Sequence, residues 1–97
     1  MEIVEGYVVD LACLRRYPQE EYTARAPEHT TECALMGHCV ESGYGLVSDG
    51  NRVVPLDTEA TPHIVAALRT ARPQGVRLRV EREEVEGELR TARTEVL

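Results

Sequence analysis

At 97 residues the chain is a single domain's length, burying roughly 60 to 65% of its unfolded surface, so a second domain is excluded. Its formal net charge of -6 disfavours a phosphate backbone as partner. No run approaches the roughly 18 apolar residues of a membrane span, and Met1-Glu2-Ile3-Val4-Glu5 lacks the basic and apolar regions of a secretion signal. The expectation is a soluble, cytoplasmic chain with one domain over 1–97.

The hydrophobic 42% comes from Val, Leu, Ala and Ile, with no Phe or Trp, which favours strands packed through β-branched side chains. Ile3 to Leu11 reads as the first strand, with Gly6 at a bend or bulge. From Ala12 to Gly43 the alternation stops, leaving a long loop that carries Cys13, His29, Cys33, His38 and Cys39. A loop of that length in a small domain is usually functional. Within it, Pro27 to Met36 suits a helix of two to three turns, ended by Gly37.

Tyr44–Ser48 and Arg52–Leu56 flank Asp49-Gly50-Asn51, whose Asp-Gly supplies the backbone freedom of a hairpin turn. Thr61 is the expected cap of a helix starting at Pro62. Ile64, Val65, Leu68 and Ala71 share one face, and Pro73 and Gly75 end it. Val76, Leu78 and Val80 then alternate with charged residues, and a turn near Glu84 to Gly87 leads into Glu88 to Val96. Three strands, a helix and two strands give the expected fold: mainly β, a small five-stranded OB-fold-like barrel with its helix between strands 3 and 4 and the 12–43 loop between strands 1 and 2. A generic α+β sheet shares this element order.

Three cysteines are many for a short cytosolic chain, and the odd count argues against a closed disulfide framework. Cys13, His29, Cys33 and Cys39 make a candidate metal set, because thiolates and imidazole suit tetrahedral Zn²⁺. His29 and Cys33, four residues apart, would share a helical face. Asp10 and His38 are supporting candidates. Zinc leads, with copper favoured if Met36 joins the site and iron as another choice. His63, off the apolar face of its helix, is set aside as a surface residue.

Two other uses of these residues stand beside metal binding. One is a thiol redox protein acting through Cys33 or Cys39. The other is a cofactor-free module that binds a protein partner, its cysteines buried. No acid partner or oxyanion hole marks a cysteine hydrolase, so a non-enzymatic reading is favoured. Arg77, Arg79, Arg82, Arg90 and Arg93 are interleaved with glutamates, and only Tyr44 offers a stacking ring on the second and third strands, so nucleic acid is disfavoured again. An exposed sheet edge makes a homodimer an open possibility.

Gly6-Tyr7-Val8-Val9-Asp10-Leu11-Ala12-Cys13, then His29-Thr30-Thr31-Glu32-Cys33-Ala34, then Cys39 to Gly43 and Gly45-Leu46 resemble a group of small bacterial OB-like domains. Those begin Gly-x-Val-x-Asp-x-x-Cys and continue through His, Cys-Ala and a further Cys to Gly-Leu. The resemblance covers the first half of the chain. It implies a redox or metal role in the setting of exported, haem- or copper-associated proteins, and no established enzymatic activity. The chain departs from the group in lacking a secretion signal and in its wider spacing from Cys33 to Cys39, with Met36 where the second Cys is expected.

Overall fold

The computed structural model describes residues 1–97. Five strands, β1 (Glu2–Asp10), β2 (Tyr44–Ser48), β3 (Arg52–Pro55), β4 (Arg77–Val85) and β5 (Glu88–Val96), form one antiparallel sheet in the order β3-β2-β1-β4-β5. The central strand, β1, pairs with β4 from Glu2 to Tyr7 and with β2 from Tyr7 to Asp10. A Cβ added to Gly6 would lie 2.6 Å from the Val47 carbonyl oxygen, so only glycine lets β1 pass that backbone.

The sheet is not closed into the expected barrel, because β3 and β5 remain unpaired edges. β3 has only four residues and ends at Pro55, which has no N–H to extend a ladder. Side chains bridge the open seam instead. The Asp57 carboxylate accepts the Thr91 N–H at 3.1 and 3.2 Å and its hydroxyl at 2.6 Å. The buried Arg82 donates to the Pro55 carbonyl at 3.4 Å and pairs with Glu2. Between Glu81 and Arg82 the register with β5 slips by one residue, leaving Ala92 unpaired as a bulge that bends the hairpin.

Because side chains alternate along β1, the strand serves two cores. On one face Val8, Tyr44, Leu46, Leu78 and Val80 meet Ala60, Ile64 and Leu68 of a helix, Ala60–Arg69, that connects β3 to β4. Each fully buried aliphatic side chain there contributes roughly 1.5 to 3 kcal/mol. That helix begins one residue before the expected cap, with Glu59 at its N-cap and Pro62 in its first turn. On the other face Val9 and Val47 meet Cys13, Leu14, Ala26 and Cys39 of the 12–43 segment.

The segment is a chain of one-turn elements rather than an open loop: α1 (Leu11–Leu14), α2 (Tyr22–Arg25), α3 (Thr31–Ala34) and α4 (Gly37–Ser42), with 3₁₀ turns at Gln19–Glu21 and Ala26–Glu28. The Ala60–Arg69 helix is thus α5. The helix expected from Pro27 to Met36 is broken at His29 and Thr30, both extended. Long-range pairing outweighs helical propensity there. Thr30 bridges Gln74, the Gly75 N–H donates to the His29 carbonyl at 3.2 Å, and the Thr31 N–H donates to that of Pro73 at 2.8 Å. Gly37 accordingly begins α4 instead of ending a helix. No helix is long and apolar enough to cross a membrane.

Candidate metal centre

The site forms where β1 ends. Asp10 is the N-cap of α1, its carboxylate accepting the Cys13 N–H at 2.9 Å, so the Asp-x-x-Cys spacing is a helix start that lays the thiol beside the carboxylate. The other Asp10 oxygen lies 2.8 Å from His29 Nε2. His29 is carried in on the extended stretch pinned by Gly75, and Cys33 comes from α3, whose N-cap hydroxyl, Thr30 Oγ1, accepts the Cys33 N–H at 3.1 Å. The Cys13 and Cys33 sulfurs are 3.4 Å apart.

One donor atom from each of Asp10, Cys13, His29 and Cys33 lies within 4.8 Å of all the others. Of the sequence candidates, Cys13, His29 and Cys33 are therefore brought together, and Asp10, expected as a supporting or substitute ligand, stands with them. Cys39 is outside this foursome but next to it, buried on α4 with its thiol interacting with Asp10. His38, on the same short helix, is exposed, as is His63. Neither joins the cluster. His29 and Cys33 do not share the expected helical face, since His29 is extended, yet the short extended stretch through Thr30 leads into α3 and brings the two together.

Asp10, Cys13 and Cys39 are strongly perturbed. Asp10 is fully buried, and burial alone would raise its carboxyl. Hydrogen bonds from His29, the Cys13 N–H and the Cys39 thiol outweigh that and bring it down to about 2. Burial, then contact with Cys33 and the Asp10 charge, push the Cys13 thiol far up. Burial followed by the neighbouring Asp10 pushes Cys39 up to about 11. The site thus holds a carboxylate beside two thiols, Cys13 and Cys39, that resist ionisation, an arrangement that a cation would reverse by making thiolate the favoured form.

Two further residues, absent from the sequence reading of the site, hold it in shape. Ser42 Oγ accepts the Ala12 N–H at 3.1 Å and donates to the Cys39 carbonyl at 2.7 Å, tying α1 to α4. Tyr44, buried and directly opposite Asp10 in the ladder, donates its hydroxyl to the Ala34 carbonyl at 2.6 Å. The only sequence signal for Tyr44 was that a buried tyrosine needs a partner for its hydroxyl.

Cys13, His29 and Cys33 also line one wall of a cleft of about 270 Å³, completed by residues that include Val9, Leu14, Tyr17 and Ala26. Cys39 is not part of that wall. Comparison with protein-family models, with curated proteins and with solved structures finds no match, so the geometry of the cluster is what bears on its use.

Proposed function

We propose that the protein is a zinc-binding domain whose site is built from Cys13, His29, Cys33 and Asp10 on an OB-like scaffold. The observation that carries this reading is the mutual approach of four donor atoms to within 4.8 Å. Ligands about 2.0 to 2.3 Å from a tetrahedral ion are roughly 3.3 to 3.8 Å from one another. The 3.4 Å between the two sulfurs is about 0.4 Å short of the roughly 3.8 Å that two thiolates on one such ion keep. Two sulfurs with an imidazole favour zinc over magnesium or calcium, which take oxygen ligands.

The 2.8 Å contact between Asp10 and His29 is shorter than two ligands on one ion keep. Asp10 therefore acts either by moving away by about half an ångström to become the fourth ligand, or by remaining on His29 as the carboxylate that orients it. In both cases the metal joins Cys13 of α1 to His29 and to Cys33 of α3, and as a ligand Asp10 would add the end of β1. The OB-like assignment rests on the strand order together with the connecting helix between β3 and β4, which correspond to an OB barrel opened along one seam. The similarity to the small bacterial domains with the Asp-x-x-Cys start supports a metal role in the same way.

Cobalt substitution tests the ligand set. Metal-free, reduced protein given Co²⁺ should develop intense visible bands of a tetrahedral site and near-ultraviolet thiolate charge transfer. Cys33→Ser should weaken the charge transfer. A spectrum of hydrated octahedral Co²⁺ would count against the assignment.

A further inference from the structure

We propose that Cys13 and Cys33 are a peroxide-sensitive pair, oxidised to a disulfide through the cleft that they line, with loss of the bound metal. The sulfurs are already 3.4 Å apart, so closing to a bond of about 2.05 Å takes a movement of little more than about 1 Å. Both belong to four-residue helices, α1 and α3, which are short enough to adjust. Access is one-sided. Cys33 is half-buried and Cys13 buried, and both face the cleft of about 270 Å³, which admits a small neutral oxidant such as hydrogen peroxide. Cys39, 1% exposed, does not line that cleft.

The chemistry balances with the two cysteine sulfurs as reductant and a hydroperoxide as oxidant. The Cys33 thiolate, on the accessible side, attacks one peroxide oxygen. The O–O bond breaks, Cys33 becomes a sulfenic acid, and the departing hydroxide takes a proton to leave as water. The Cys13 sulfur then attacks the Cys33 sulfur. The S–O bond breaks, the S–S bond forms, and the departing hydroxide takes a proton, from the Cys13 thiol in the metal-free chain or from solvent when a metal holds Cys13 as thiolate, to leave as a second water. Two electrons pass from the sulfurs to the peroxide. A metal held by both thiolates loses two donors, and Asp10 with His29 alone would not retain it.

The release step rests on the zinc reading above, whereas the disulfide does not. The test treats the full chain, loaded with zinc and analysed for it beforehand, with about one equivalent of hydrogen peroxide. Zinc release is followed with a colorimetric chelator, and the product by intact mass and peptide mapping. The expected result is a mass loss of about 2 Da, mapped to a Cys13–Cys33 link, in step with zinc release and reversed by a dithiol. A gain of about 16 or 32 Da on Cys33, a link to Cys39 or between chains, or zinc release without a link overturns the proposal. A chain that holds no zinc beforehand overturns the metal reading and the release step. The mapping on that metal-free chain still decides the disulfide, a Cys13–Cys33 link supporting the pair and any other product refuting it.

Discussion

Replacing Asp10 by alanine tests how the site is held before any metal arrives. The carboxylate has no solvent exposure, caps α1 through the Cys13 N–H and lies 2.8 Å from His29. Loss of an N-cap costs about 1 kcal/mol, and loss of a buried hydrogen bond to a charged group about 1.5 to 3 kcal/mol. The sum, about 3 kcal/mol, is a large share of the 5 to 15 kcal/mol typical of a domain's stability. At roughly 4 to 8 °C per kcal/mol it lowers Tm by roughly 12 to 24 °C. Thermal melts of reduced, chelator-treated wild type and Asp10→Ala measure this without any contribution from metal. Asp10→Asn keeps an acceptor for the Cys13 N–H but not the charge, and its Tm should fall between the two. A drop below about 4 °C for Asp10→Ala would refute the reasoning, because it would mean that burying the carboxylate costs as much as its hydrogen bonds return.

Further predictions concern the supports of the site and the open seam. Gly75 has φ +67°, and an added Cβ would lie 2.9 Å from the Pro27 carbonyl oxygen, so Gly75→Ala should destabilise by at least about 1 kcal/mol and loosen His29; an unchanged Tm would contradict this. Cys39→Ala should leave the zinc stoichiometry unchanged and cost about 1 kcal/mol in packing, and loss of zinc on titration would make Cys39 a ligand after all. Burial raises the Asp57 carboxyl, but the Thr91 hydroxyl and N–H hold it below the usual carboxylate range, so its stabilisation is present above about pH 3.9 and is lost as pH falls through its folded value. Asp57→Asn should therefore be less stable than wild type at neutral pH by about 1 kcal/mol, the gap narrowing in acid denaturation series below about pH 4. A gap independent of pH would be the wrong result.

The strands were legible because β-branched alternation and the turns at Asp49-Gly50 and before Glu88 are local signals, and β5 spans Glu88–Val96 as read, whereas β4 runs on to Val85, past the Glu84 at which its turn was expected to begin. Closure was not legible. It depends on whether β3 reaches β5, which Pro55 and the length of a four-residue strand decide together with side-chain bridges from Asp57 and Arg82. The same distinction separates the site residues. Asp-x-x-Cys is a local capping pattern, and had it been read as one, Asp10 would have been placed beside the Cys13 thiol from the start. His29 could not be placed this way, because its extended conformation comes from Gln74 and Gly75, more than forty residues along the chain. Cys39 was expected as a ligand from residue type, a helix break at Gly37 and the family resemblance, and α4 sets it outside the four-donor group, next to Asp10.

Calorimetric titration of zinc into the reduced, metal-free chain, with wild type and Cys33→Ser side by side, tests the central claim most directly. About one equivalent bound tightly by wild type, with affinity reduced at least about tenfold in the variant, is the predicted result. No saturable binding by wild type, or equal binding by both chains, would contradict it.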